Sequence, residues 1–192
     1  MTFRVFVLLV AAWTLLVPLG VDAGLADARI HELATQPERD ELIVSFRLDR
    51  AIDAQVLERL HSGFQLRFDH EVDLVIPRGA LLPKKVVAAT QVRTEVAYDN
   101  LTRQYRLFRS TRAKGRRRAP SLFEVDVTRK TESLDEAMEW MTRIDAVPLP
   151  WGDDMPGGDR IRLRVRSDLG RRWVLFMIPS RHAVSAELGL EF

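Results

Sequence analysis

The chain has 192 residues, 46% of them hydrophobic and 29% charged, with no cysteine and with 29 basic against 27 acidic residues for a net charge of +2. That balance excludes a disordered tail, a collagen-like rod and a multi-span membrane protein, and the missing cysteine excludes thiol catalysis, disulfide staples and thiolate zinc sites. The sequence pI near 9.3 reflects two surplus bases in a nearly balanced chain, 25 of the 29 being Arg, and so is weak support for a nucleic-acid partner.

Residues 2–20 carry one positive charge, Arg4, and then an apolar run from Val5 to Val17 in which Thr14 is the only polar member. Pro18 and Gly20 follow, and Val21-Asp22-Ala23 offers small or modest residues to a signal peptidase. We read residues 1–23 as a cleaved signal peptide and 24–192 as one exported β-rich domain, which places the protein in the periplasm. The competing reading, an uncleaved anchor, needs more length, since thirteen helical residues span about 20 Å of a hydrocarbon core roughly 30 Å thick.

Ala28–Ala34 and Glu41–Asp49 read as a hairpin turning through Thr35–Asp40, with Leu42, Val44, Phe46 and Leu48 on one face. Asp53 is placed to cap a short helix bearing Val56, Leu57 and Leu60, which Gly63 ends. A long strand follows, with Phe64, Leu66, Phe68, Val72, Leu74 and Ile76 inward and Gln65, Arg67, Asp69, Glu71 and Asp73 outward. Val86–Tyr98 alternates again, with Val86, Val92, Val96 and Tyr98 on one side, and Asp99-Asn100 turns the chain into a strand from Leu101 to Arg109. A basic loop, Arg112–Pro120, leads to a strand through Phe123, Val125 and Val127. Ser133 and Glu136 have capping-box spacing and open a helix showing Ala137, Trp140, Met141 and Ile144. A strand ending at Pro148 and Pro150, a loop over Trp151–Gly158, and strands beginning at Ile161, Trp173 and Ala183 complete the chain. The expected order is β-β-α-β-β-β-β-α-β-β-β with links too short for parallel crossovers. This is a mainly β (α+β) fold: an antiparallel β-sandwich or strongly curved sheet with two short packed helices.

Chemistry-bearing clusters each have a plainer reading. Asp69, Glu71 and Asp73 share a strand face, as a metal row or an acid-base pair would, but Arg162, Arg164 and Arg166 form a matching basic row and favour cross-strand pairing. Asp153, Asp154 and Asp159 lack the ligand spacing of a calcium loop. His31, His61, His70 and His182 fall in separate elements, and His70, at an inward position, reads as a hydrogen-bonded core histidine. No serine-nucleophile elbow, phosphate loop or dinucleotide fingerprint is present. Catalytic, cofactor-binding and metal-ligating residues are therefore all assigned as none, and no cofactor is expected.

From Arg93 to Arg118 nine bases face only Glu95 and Asp99, a local net of +7. Arg112, Lys114, Arg116, Arg117 and Arg118 are candidates for contact with anionic lipid headgroups or an acidic protein, against the plainer reading of a solvated loop. The loop has no interleaved aromatic residues for nucleic-acid stacking. Tyr98, Asp99 and Tyr105 join the candidates, since the two rings flank a turn and can cover the sheet end while their hydroxyls reach polar partners.

The run Tyr98-Asp99-Asn100-Leu101 with Tyr105, the export signal, the strand-helix-Gly63 opening, the Ser133–Ile144 helix and the Arg-rich strand at Ile161 together resemble the exported bacterial family called domain of unknown function 4390. The resemblance extends over most of the exported chain. It implies no activity and no catalytic residues, but it does imply an envelope context, since such proteins are often encoded beside a nitrogen-regulation-type sensor kinase. The expectation is a non-enzymatic periplasmic binding or accessory protein linked to envelope two-component signalling, with a membrane sensor kinase or anionic lipid headgroups as partner. The alternatives are a carrier of a lipid or other apolar or anionic ligand in the curved sheet and, behind it, a hydrolase using Asp69, Glu71 or His70.

Overall fold

A computed structural model describes residues 28–38, 41–78, 83–114, 124–150, 161–174 and 178–190, so residues 1–23, Arg116–Arg118 and the loop at Trp151–Gly158 lie outside the described residues. The elements are β1 (Arg29–Glu38), β2 (Glu41–Asp49), α1 (Ala54–His61), β3 (Leu66–Ile76), β4 (Lys85–Asp99), β5 (Gln104–Lys114), β6 (Glu124–Thr131), α2 (Leu134–Thr142), β7 (Arg143–Pro150), β8 (Ile161–Val174) and β9 (Ile178–Leu190). This is the expected order, except that Trp173 belongs to the end of β8 instead of opening a strand of its own, and β9 begins at Ile178 instead of Ala183. The strands form two antiparallel sheets, β1-β2-β7 and β6-β5-β4-β3-β8-β9.

Both helices start where their caps require. Asp53 Oδ1 accepts the Val56 amide at 2.8 Å, and Gly63, with φ +88°, takes the left-handed conformation that releases the chain from α1. Ser133 Oγ accepts the Glu136 amide at 3.2 Å, but Glu136 does not return to Ser133: its carboxylate goes to Thr131 Oγ1 and to Arg129, and the Ser133 amide donates to Thr131 Oγ1 at 3.1 Å. The capping box is thus completed through Thr131, which fastens α2 to the end of β6.

The inner faces of the two sheets share one core. Leu42, Val44 and Phe46 of β2 and Ile144 and Leu149 of β7 pack against Val72, Leu74, Val92 and Leu163 of the larger sheet, all nearly or fully buried. A second cluster, with Leu60, Phe68, Val96, Leu107 and Met141, is capped by the helices. Complete burial of such side chains stabilises by about 1.5–3 kcal/mol each.

Four further boundaries differ from expectation. β1 continues to Glu38, with Pro37 opposite Leu42, so the hairpin link is shorter than Thr35–Asp40. Phe64 precedes β3 and is 59% exposed, because the turn at Gly63 falls before it. Val86 points outward because a bulge lies beside it: Leu74 pairs with Ala88 and Val75 with Val86, so Val87 is the extra residue and alternation flips there. Leu101 is turn rather than strand, and Ile144 belongs to β7 rather than α2, though it keeps its core position.

Candidate functional site

Alternation along β3 sorts its polar side chains onto two faces. His70 points inward and is fully buried between Phe46 and Phe68, whose rings meet it edge-on at 5.5 and 6.5 Å. Its Nδ1 lies 2.8 Å from Ser167 Oγ and its Nε2 3.4 Å from Thr94 Oγ1. Burial, with Arg109 as a smaller contributor, pushes its pKa down to about 3, so the ring is neutral and each nitrogen meets a hydroxyl. This is the core histidine expected from sequence.

Asp69, Glu71 and Asp73 stand on the other face, beside β8. Glu71 pairs in register with Arg166 and Asp73 with Arg164, so the two charged rows are neighbours, as their spacing predicts. Asp73 is 2% exposed and takes both the Nε and Nη2 of Arg164, while the Glu71–Arg166 pair is loose at 3.8 Å. Asp69 is held by Arg93 at 2.8 Å and Arg67 at 2.9 Å. Partial burial raises its pKa, but the hydrogen bonds from these two guanidiniums outweigh that and leave it below the ordinary value. Across β8, β3, β4 and β5 lies an open groove of about 470 Å³ whose lining includes Asp69, His70, Glu71, Arg93, Arg112 and Arg166. Its charges are mixed, and the described residues hold no group of three His, Asp or Glu placed to share a metal ion.

At one end of the larger sheet, Tyr98 and Tyr105 are cross-strand partners with ring centroids 4.8 Å apart. His61, from the last turn of α1, lies edge-on to Tyr98 at 5.1 Å and is joined to the Tyr105 hydroxyl by a 2.8 Å hydrogen bond. Tyr105 is 5% exposed, and burial, then the neighbouring Tyr98, raises its pKa. Tyr105 is therefore a support beneath the surface, not a contact residue. Asp99 Oδ1 accepts the Leu101 and Thr102 amides at 3.0 and 3.2 Å, which lowers its pKa and holds the β4–β5 turn.

This turn meets the turn after α1, since a Cβ at Gly63 would sit 3.9 Å from Asn100 Nδ2. Two apolar side chains project there: Leu101, 96% exposed, and Phe64, 59% exposed, with the Arg59 guanidinium 5.9 Å above the Phe64 ring. Sequence reasoning missed both, having placed them in strands. The signals were Gly63 immediately before Phe64 and the Asp99-Asn100 turn immediately before Leu101.

Among the described residues, the bases from Arg93 to Arg112 do not all share one face. Arg93 is paired with Asp69, and Arg112 lies seven residues along β5 from Tyr105, roughly 24 Å away near the other end of the strand. Arg109 turns inward, stacks 4.4 Å from the Trp140 ring and donates to the Trp140 and Arg143 carbonyls at 2.6 and 2.9 Å. Those carbonyls end α2, whose last turn has no basic residue, so β5 supplies the cation that this end of the helix dipole favours. Burial lowers the Arg109 pKa, with Asp145 opposing.

No helix among the described residues is long and apolar enough to cross a membrane. No curated protein and no solved structure matches the chain. A family model does match, over residues 26–172, and the chain accordingly belongs to the family described as Domain of unknown function (DUF4390).

Proposed function

We propose that the protein is a non-enzymatic accessory module of the bacterial envelope that docks a membrane sensor kinase through the end of the larger sheet where the α1–β3 and β4–β5 turns meet. The observation that carries this reading is that two turns far apart in sequence approach each other at Gly63 and Asn100, and the residue after each, Phe64 and Leu101, is an exposed apolar side chain. Leu101 alone would be ordinary surface, but an apolar pair on turns held by Asp99, Gly63 and the Tyr98–Tyr105–His61 cluster has the rigidity of an anchor for a partner pocket. Arg59 and Arg103 flank it and suit an acidic rim on that partner.

Two observations weigh against the rival readings. Asp69, His70 and Glu71 all line the groove, but a hydrolase built on them needs the His70 imidazole to reach it, and that ring is buried against Phe46 and Phe68 on the opposite face, neutral and enclosed. A carrier of apolar ligands needs an apolar space, and the groove on the outer face is lined by charged groups.

The test is binding of the purified chain to the exported part of a sensor kinase from the same envelope. The double variant Phe64→Ser, Leu101→Ser is expected to lose binding while its unfolding free energy stays within about 0.5 kcal/mol of the wild type. Arg112→Glu, at the other end of β5, is expected to bind normally. Undiminished binding by the double variant would overturn the assignment of this surface.

A further inference from the structure

Four strands end the two sheets: β1 and β7 in the smaller, β6 and β9 in the larger. An open strand edge presents unpaired N–H and C=O groups, and proteins blunt such edges with proline, bulges or a covering element. Three of these edges are blunted. β1 has Pro37, a break between His31 and Ala34, and Glu32 at φ +52°. β7 has Pro148, Pro150 and Ala146 at φ +53°, opposite an irregularity in β2. β9 has Pro179 and a break in its pairing with β8, and β1 lies against it.

Among the described residues, β6 has none of these devices. Its pairing with β5 runs unbroken from Tyr105 opposite Thr131 to Arg112 opposite Glu124, with no proline or glycine. Residues 126–130 are exposed on both faces, because α2 reaches only the Thr131 end through Glu136. The charge along the strand is graded, with Asp126 early and Arg129 and Lys130 late. Lys130 also faces a like charge, Arg106, directly across the β5–β6 pair, and neither Asp126 nor Lys130 has an ion-pair partner among the described residues.

A strand graded in this way is complementary to itself when turned antiparallel. Directly opposed residues in an antiparallel pair point to the same face, so a two-fold axis must pass through a residue rather than between two. Centring it on Thr128 sets Asp126 of each copy against Lys130 of the other, twice, on the face where Lys130 now meets Arg106. Centring it on Val127 would set Lys130 against Glu124, the first residue of the strand, but leave Asp126 against Thr128 with no cation, whereas centring on Thr128 matches both. We infer that β6 is a self-association edge, pairing antiparallel about Thr128 with β6 of a second copy to make one continuous sheet of the two larger sheets. The test of this edge uses Asp126, Thr128 and Lys130 and leaves Phe64 and Leu101 intact, so either proposal can fail alone.

The absence of cysteine gives a clean test. Sedimentation of the purified chain over a range of micromolar concentrations is expected to show a monomer–dimer equilibrium. Asp126→Lys places like charges opposite each other twice and should raise the dissociation constant about tenfold or more, and adding Lys130→Asp should restore it. Thr128→Cys should form a disulfide-linked dimer under mild oxidation, because the two Thr128 positions face each other, whereas Arg47→Cys on the smaller sheet should not. A wild type that stays monomeric throughout overturns the inference. So does a dimer that is indifferent to Asp126→Lys and is not cross-linked through Thr128→Cys.

Discussion

The two faces of β3 put polar groups to opposite uses within a single strand. On the inner face His70 is kept neutral and is satisfied by the hydroxyls of Ser167 and Thr94. On the outer face the carboxylates of Asp69, Glu71 and Asp73 are matched by arginines from neighbouring strands and from β3 itself. Both arrangements follow from a period of two. One residue's step along the strand exchanges a face lined with guanidiniums, open at Asp69 and Glu71 and closed over Asp73, for a core that holds hydroxyls and apolar groups. Carboxylate, imidazole and carboxylate at 69, 70 and 71 therefore resemble a catalytic cluster only when read as a string.

Three measurements probe that contrast. Arg164→Ala should cost most, about 3 kcal/mol in chemical denaturation, because it leaves the buried Asp73 carboxylate without its cation. A loss below 1 kcal/mol would mean that water reaches Asp73 after all. The pH dependence of stability tests the inner face. The folded-state pKa of His70, about 3, lies below its ordinary 6.5, so the unfolded chain takes up a proton that the folded chain refuses. Its contribution is intact above about pH 6.5 and falls as the pH drops toward 3, reaching a loss of about 2 kcal/mol at pH 5. Urea unfolding at pH 5 and pH 7 should show that slope in the wild type, and His70→Leu should flatten it. An equal slope in both would place the titration elsewhere. Asp69 contributes in the other sense: its pKa is lowered from 3.8, so its stabilisation is lost only as the pH falls below that value, and the outer face should remain intact at pH 5. Smallest is Arg166→Ala, which removes a loose, exposed pair with Glu71 and should change stability by less than about 0.5 kcal/mol. A larger loss would show that the outer-face charges act as a network.

Much of this was legible because period and capping are local. Leu42, Val44, Phe46 and Leu48 alternate without interruption and are all buried, and Ser133 with Glu136 marks the start of α2. The adjacency of β3 and β8 was legible as well, because opposed charges at period two on both strands have one economical arrangement. What escaped were departures from the period. The extra residue at Val87 turns Val86 outward, and the left-handed turn at Gly63 moves Phe64 out of its strand. Bases close in sequence also took different faces: strand alternation sent Arg109 inward to α2 and left Arg93 and Arg112 on the outer groove, while Arg116, Arg117 and Arg118 lie outside the described residues. The approach of the turn at Gly63 to the turn at Asn100 depends on how α1 packs over the β4–β5 hairpin, and no local pattern encodes that.

The pairing of Asp73 with Arg164 joins residues 91 apart, and it has a consequence in time as well as in energy. β3 to β6 follow one another as hairpins and need only short loops to close, whereas β8 can dock on β3 only when the chain beyond residue 161 is available. Chain closure over such a distance is entropically costly before its contacts form, so folding should be slow relative to helical domains of this size. Until β8 arrives, one edge of β3 stands open and the Asp73 carboxylate stays hydrated. The strands after residue 161 therefore build the sheet outward from β3, with β8 closing its open edge and β9 becoming the new rim.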